Sequence, residues 1–224
     1  MSRTLVGEVM TAPAVTAGET MPFRDLVALL HASDIGAVPV VSPAGRVLGV
    51  VSRCDLIAKS AGLPAAGWPG SGPRRRNRRR AGARTAAQLM TAPAVTIAPE
   101  ADAGQAARLM CRRRVGRLPV ITGPEGRLAG IVTRSDLLRV YLRPGEQIRA
   151  EIEAAVLPRT SGARPGSLTV AVRGGIVSVS GRLERWSAVA ALVRSIQEVE
   201  GVVGVDQDVR YDIDDRYPGM PASF

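Results

Sequence analysis

Residues 49–56 read GVVSRCDL, and residues 130–137 read GIVTRSDL. Each copy is a short apolar run that ends in a hydroxyl residue, an arginine and, three residues after the hydroxyl, an aspartate. The apolar run is typical of a buried strand, and the spacing from hydroxyl to aspartate predicts the start of a helix. The chain is organised around these two strand-to-helix junctions.

The hydroxyl-to-aspartate spacing has two interpretations. In a capping box, the two side chains satisfy each other's backbone amides. In a ligand site, the amides of the helix start and the arginine meet a phosphate, and the aspartate accepts hydrogen bonds from ribose hydroxyls because an ionised carboxylate is an acceptor only. The residues concerned are Ser52, Arg53 and Asp55 in the first copy, and Thr133, Arg134 and Asp136 in the second.

Both junctions belong to a longer internal repeat. Residues 10–16 recur as residues 90–96, an offset of 80 that becomes 81 after a Gly/Pro turn. A duplicated domain tolerates one inserted residue in a turn. Each repeat predicts an extended stretch, a helix, two strands and a second helix. The helices are expected at about 22–33 and 101–113, and the strands at 37–41, 47–51, 118–121 and 128–132. Continuous apolar strands such as 47–51 predict a sheet buried on both faces.

The junctions, together with Gly36-Ala37-Val38-Pro39-Val40-Val41 and Val9-Met10-Thr11, resemble the CBS domain over about residues 5–143. Families with this domain use it in tandem pairs (Bateman modules) that typically bind adenine nucleotides and often form homodimers. The resemblance implies an α/β (α+β) fold with two β-α-β-β-α repeats packed as a pseudo-twofold pair. Repeat 1 is expected at 5–60, a Gly/Pro/Arg-rich linker at 61–84 and repeat 2 at 85–143.

The same resemblance implies which side chains meet the ligand. Asp55 and Asp136 would hold ribose hydroxyls, and the neighbouring hydroxyl and arginine residues would meet phosphate. One adenine would be framed by Thr11, Val15, Ile35, Gly36 and Ala37, and the other by Thr91, Val95, Val115, Gly116 and Arg117. Because Arg117 stands where the first repeat has Ala37, the second cleft is expected to favour a phosphate-rich ligand.

The repeat pattern stops after residue 143, and a third segment begins. Residues 144–212 predict the order α-β-β-α-β, with a helix at about 146–156, a hairpin over 168–181 turning at Gly174-Gly175, a helix around 186–196 and a last strand ending near Val209. This segment is similar to the BON domain, whose families are often linked to membranes or envelope proteins. The resemblance implies an output or interaction module with a protein or membrane-surface partner. Residues 213–224 are expected to form a polar tail.

The positive charge of the chain suggests a rival function. The net charge is +10, and six of the arginines are Arg74, Arg75, Arg76, Arg78, Arg79 and Arg80. Such a run binds polyanions because each neutralised phosphate releases counterions. The alternative is therefore an adaptor on nucleic acid or anionic lipid in which the repeats are purely structural. A solvated spacer also explains the run, and without an aromatic platform nucleic acid is not the favoured partner.

Several functional classes lack support in the sequence. It contains no P-loop, no G-x-S-x-G motif and no metal-ligand cluster, and His31 is the single histidine. No apolar run approaches the ~20 residues that a membrane crossing needs, and two cysteines make no disulfide framework. We therefore expect a cytoplasmic protein that is not an enzyme and needs no metal or cofactor. The CBS resemblance implies a regulatory role with an adenine nucleotide (AMP, ADP, ATP or S-adenosylmethionine) as the regulatory ligand.

Overall fold

The structure, a computed structural model, describes residues 4–61 and 83–216, which divide into two compact units. The repeat unit comprises residues 5–137, and the C-terminal unit comprises Thr4 together with residues 138–216. Among the described residues, no helix combines the length and hydropathy that a membrane crossing requires.

The repeat unit has the mixed α/β order that the sequence predicts. The first repeat contains α1 (Val6–Val9), β1 (Ala17–Gly18), α2 (Phe23–Ala32), β2 (Ala37–Val41), β3 (Val47–Ser52) and α3 (Arg53–Ser60). The second contains α4 (Ala86–Leu89), α5 (Ala103–Arg113), β4 (Arg117–Thr122), β5 (Arg127–Thr133) and α6 (Arg134–Leu138). In each repeat the two long strands are antiparallel neighbours.

The burial of the first sheet agrees with the sequence-based expectation, and one detail of the second repeat differs from it. Gly49 and Val51 of β3 are buried and the other residues of 47–51 are partly buried, while β2 is buried over its first four residues and therefore on both faces. The extended stretch that opens the second repeat forms one parallel bridge, between Ile97 and Val120, rather than a strand like β1.

The two repeats exchange their N-terminal segments. Thr11 pairs with Ile131 of β5 through N···O distances of 2.9 and 3.0 Å, and Thr91 pairs with Val50 of β3 through 2.8 and 3.1 Å. As a result α1 enters the core of the second repeat, where Val6 is fully buried, and α4 enters the core of the first. These reciprocal contacts are those of a pseudo-twofold pair.

The exchange also explains the glycine that opens each junction sequence. A Cβ atom on Gly49 would lie 2.8 Å from the carbonyl oxygen of Thr91, and one on Gly130 would lie 2.8 Å from that of Thr11. A side chain does not fit between the strand and the crossing segment, so both positions require glycine for close backbone approach.

The C-terminal unit has the α-β-β-α-β order expected for the third segment. It contains a 3₁₀ turn (Arg139–Leu142), α7 (Gly145–Glu151) continued by a π-helical turn (Ile152–Val156) and a 3₁₀ turn (Leu157–Arg159), then β6 (Leu168–Arg173), β7 (Ile176–Arg185), α8 (Trp186–Gln197) and β8 (Gly204–Ile213). The sheet order is β6-β7-β8, with β7 antiparallel to β6 and parallel to β8. Gly174 and Gly175 both have positive φ, as a tight hairpin turn requires.

The strands of this unit are longer than the sequence suggests. β7 continues beyond Gly181 to Arg185, because β8 pairs with it along almost its whole length. β8 begins at Gly204 and reaches Ile213, where the polar tail was expected to begin. The core beneath the sheet is formed by apolar residues of the helices and strands, among them Ile148, Ile152, Leu183, Leu192 and Ile196.

Candidate functional site

The two strand-to-helix junctions are capping boxes. In the first, Asp55 Oδ2 accepts hydrogen bonds from the amide (2.9 Å) and hydroxyl (2.6 Å) of Ser52, and the Asp55 amide donates to Ser52 Oγ. In the second, Asp136 Oδ2 accepts from the amide (2.9 Å) and hydroxyl (2.7 Å) of Thr133, and the reciprocal bond is also present. The capping interpretation is thus confirmed in both copies, with each aspartate held at a helix start.

Each helix start is tied to the beginning of the neighbouring strand. The Arg53 amide donates to Gly36 O over 2.9 Å, and the Arg134 amide donates to Gly116 O over 3.2 Å. Across the strands, Ala37 faces Ser52 and Arg117 faces Thr133. We therefore define junction 1 as Gly36, Ala37, Ser52, Arg53 and Asp55, and junction 2 as Gly116, Arg117, Thr133, Arg134 and Asp136.

The arginines that follow the capping hydroxyls are exposed but held by the protein. Arg53 Nη2 lies 3.0 Å from Asp34 Oδ1 and donates to Leu30 O. Arg134 Nη2 donates to Val115 O over 3.3 Å. A ligand phosphate can compete with both partners, because an exposed ion pair such as Arg53–Asp34 contributes little to stability and the partner of Arg134 is a neutral carbonyl oxygen.

Arg117 crosses from the second repeat to the first. Its Nη1 donates to Ala37 O over 3.1 Å, and Nη2 lies so close to Gly36 that a Cβ there would be 2.6 Å away. Burial, and secondly the charge of Arg53, lower the pKa of Arg117. The sequence groups Arg117 with Gly116, whereas its long side chain carries the guanidinium to junction 1, beside that of Arg53.

Sequence reasoning missed a charge difference at the residue that follows each central helix. Asp34 (φ 47°) and Arg114 (φ 53°) occupy equivalent left-handed positions, 80 residues apart. In the first repeat this residue is the acid that pairs with Arg53, and in the second it is another cation. The offset of 80 indicated that the two positions are equivalent, but only the backbone geometry shows that both residues lie in the turn at the end of a helix.

The residues expected to frame adenine are distributed over both repeats. Thr11 and Thr91 are exposed. Each pairs through an isolated bridge with the strand that leads into the junction of the other repeat. Val15 is exposed, whereas Ile35, Val95 and Val115 are partly buried against the repeat cores. Each junction is therefore bordered by a threonine from the other repeat. The predicted polyanion residues Arg74, Arg75, Arg76, Arg78, Arg79 and Arg80 lie outside the described residues.

The described ranges contain no group of three or more His, Cys, Asp or Glu side chains that could hold a metal ion. What the junctions offer instead is a set of helix-start amides, hydroxyls, carboxylates and guanidinium groups. Guanidinium groups and helix N-termini bind phosphate, and carboxylates accept hydrogen bonds from sugar hydroxyls.

Comparison with known proteins identifies the family of the two repeats. A family model described as the CBS domain matches residues 6–62 and 86–143, just over half of the chain. An uncharacterised protein of Methanopyrus kandleri is 26% identical over 135 residues, which cover 60% of this chain and 61% of that protein. The chain spans only 30% and 34% of the length of two further uncharacterised relatives.

Two solved structures resemble the repeat region. The structure of CBSX2 in complex with AMP is 25% identical, has a TM-score of 0.51, and is matched over 65% of this chain and 98% of that chain. The CBS domain pair of protein MJ0100, in complex with 5′-methylthioadenosine and S-adenosyl-L-methionine, is 21% identical with a TM-score of 0.51, over 62% of this chain and 97% of that chain. The latter supports the fold alone.

Proposed function

The chain belongs to the CBS domain family, and from that premise we propose that it is a regulatory protein that senses an adenine nucleotide at its two junctions. The observation that carries the proposal is the pair of guanidinium groups, from Arg53 and Arg117, beside a helix start at junction 1. A lowered arginine pKa means that the charged form is disfavoured where it stands, and a bound phosphate would offset that cost.

The ligand class follows from the chemistry and from one relative. A helix start with two guanidinium groups suits phosphate, and a capped aspartate suits the hydroxyl groups of a ribose. CBSX2, which shares the fold at 25% identity, was solved with AMP. At junction 1 the guanidinium groups of Arg53 and Arg117 would meet the phosphates of a nucleotide such as ATP. At junction 2 this role falls to Arg134, and the second repeat has the cation Arg114 where the first has Asp34.

Three further features belong to the proposal. The C-terminal unit serves as a BON-like output or interaction module, the CBS pair associates into a homodimer, and the protein works in the cytoplasm without catalysing a reaction. The rival in which the pair is only a scaffold with helix caps predicts no nucleotide response. A thermal-shift screen separates these, because a ligand that binds only the native state raises its stability.

The decisive experiment is calorimetry with AMP, ATP and S-adenosylmethionine on the wild type and on Asp55→Ala and Asp136→Ala. Hydrogen bonds to a charged acceptor contribute roughly 1.5–3 kcal/mol, so each variant should bind about ten- to a hundredfold more weakly at its own junction. Asp102→Ala is the matched control, because Asp102 caps α5 through the Gln105 amide and lies in neither junction. Affinities equal to the wild type in both junction variants would refute the assignment.

A further inference from the structure

The chain passes between its two units twice, between Thr4 and Leu5 and between Leu137 and Leu138. Both passages start from elements that border junction 2. Leu137 follows Asp136 directly in α6, and the segment that begins at Leu5 ends at Thr11, which pairs with Ile131 two residues before Thr133. Neither of these two connections follows junction 1 along the chain, because α3 is followed in sequence by the second repeat, which belongs to the same unit.

Within the C-terminal unit, both passages are anchored at one residue, Glu200. Its carboxylate accepts hydrogen bonds from the amide and the hydroxyl of Thr4. Its carbonyl oxygen accepts from Arg143 Nη1 over 2.9 Å, and Arg143 Nη2 forms an ion pair with Glu151 at 2.8 Å. Gly201, with φ +90°, brings this turn against Val140 O, where a Cβ would lie 3.3 Å away.

We propose that a nucleotide at junction 2 is reported to the C-terminal unit through the turn at Glu200, while junction 1 binds without being reported. The proposal rests on nucleotide binding at the junctions. A ligand that fixes Asp136 and Thr11 restricts α6 and the residue 5–11 segment together. When both chain passages are ordered, the turn at Glu200, which holds both of them, becomes less mobile. This follows because binding that orders one region changes the stability of another.

Glu200 acts in this scheme as a positioning residue, since it touches no ligand. Val203 follows it, is 66% exposed, and donates its amide to Gly175 O of the β6–β7 hairpin turn over 2.8 Å. A change at residue 200 therefore reaches an exposed apolar residue and a hairpin end within one short turn. The same coupling requires that any partner of this turn alters nucleotide affinity at junction 2, because linkage is reciprocal.

Hydrogen–deuterium exchange on the full chain with and without saturating AMP tests the relay. In the wild type, AMP should slow exchange at residues 131–137 and, by about fivefold or more, at residues 198–204, in line with typical coupling energies. At the lowest AMP concentration that saturates the wild type, Asp136→Ala should strongly reduce both responses, whereas Asp55→Ala should leave them. Glu200→Ala should keep the response at 131–137 and lose that at 198–204.

Glu198→Ala is the matched control, since Glu198 is an exposed glutamate two residues away, and it should behave as wild type. Thr4→Val removes the hydroxyl group that donates to Glu200 and keeps a side chain of similar size. It is a second, milder variant that weakens the contact of the Thr4–Leu5 passage with Glu200. The relay alone is overturned by either of two results. In one, AMP protects residues 131–137 but not 198–204 in the wild type; in the other, the response at 198–204 survives Glu200→Ala. No protection at 131–137 overturns nucleotide binding at junction 2, and the relay with it.

Discussion

Asp136 is the one charged residue that is buried in the described part of the chain, with 5% of its surface exposed. A buried carboxylate is tolerated when donors satisfy it, and Thr133 provides two such donors to Oδ2. The cap also fixes the orientation of the carboxylate, so a ligand would meet an acceptor that is already positioned. Capping and ligand binding are therefore compatible uses of the same spacing.

Arg117 allows the binding and stability effects of one residue to be separated. Because burial and the charge of Arg53 lower its pKa, its charge costs folding free energy, and it stays protonated throughout the working pH range. Arg117→Gln should therefore weaken ATP binding by about tenfold or more without lowering the Tm of the ligand-free protein. Calorimetry and thermal unfolding measure the two quantities.

Arg112→Gln supplies the control for this prediction, because Arg112 is an exposed arginine near the end of α5. It should change neither ATP affinity nor Tm. A loss of several degrees in Arg117→Gln with unchanged affinity would mean that the Arg117 guanidinium serves as a structural clamp on Ala37 and not as a ligand contact.

At the scale of elements, the crossing of each strand by a segment of the other repeat depends on glycine. A Cβ on Gly49 or Gly130 would lie 2.8 Å from a backbone oxygen, so Gly49→Ala and Gly130→Ala should each destabilise the protein by about 1–3 kcal/mol. Urea unfolding measures the loss. Gly18→Ala in β1 should cost far less, because its added methyl group meets no atom within 4 Å. Equal stabilities of all three variants would contradict the exchanged arrangement.

The start of α8 is capped by a residue from beyond β8. Asp215 accepts hydrogen bonds from the hydroxyl and the amide (2.9 Å) of Ser187, and Arg216 lies over the Trp186 ring at 4.7 Å. The bonds from Ser187 lower the pKa of Asp215. A carboxyl group with a depressed pKa in the folded state stabilises the fold above its ordinary pKa, and this contribution is lost as pH falls through the folded value.

Asp215→Asn should therefore lower the Tm at neutral pH by about 2–4 °C, as the loss of a helix cap does in a chain of this size. The difference from wild type should shrink as pH falls from the ordinary carboxyl pKa of about 4 through the lower folded-state pKa, where the folded wild-type carboxyl group becomes protonated. Thermal unfolding between neutral and acidic pH checks this. Asp206→Asn, at an exposed position of β8, is the control and should leave the Tm at neutral pH unchanged.

The limits of sequence-based prediction are also set at the scale of elements. The caps at Ser52 and Thr133, the central helices and the hairpin at Gly174-Gly175 follow from short-range spacing, and the structure contains them. The exchange of α1 and α4 was not predictable, because both repeats offer the same apolar pattern and either core would accept either helix. The reach of Arg117 into junction 1 was missed because the Arg117 guanidinium contacts a residue 80 positions earlier in the chain, in the other repeat.

At the scale of the whole molecule, neither repeat has a complete core of its own. The first repeat core includes Ala86 and Leu89 of α4, and the second includes Val6 of α1. Because each repeat lends an element to the other, neither core is complete without the other repeat. This shared construction makes the stability of each repeat depend on the other.

The shared construction makes a prediction about coupling that local packing would not make. Val6→Ala should cost roughly 1–3 kcal/mol, because the side chain is fully buried. In a double-mutant cycle it should interact with Leu118→Ala of the second repeat by about 0.5–3 kcal/mol, and combine additively with Leu26→Ala of the first. Leu89→Ala is the mirror-image control and should interact with Leu26→Ala and not with Leu118→Ala. Urea unfolding of the single and double variants measures both cycles. If Val6 instead couples to Leu26, each helix packs on its own repeat. The bridges from Thr11 to Ile131 and from Thr91 to Val50 are then absent in solution. Junction 2 in that case loses one of its two chain passages to Glu200.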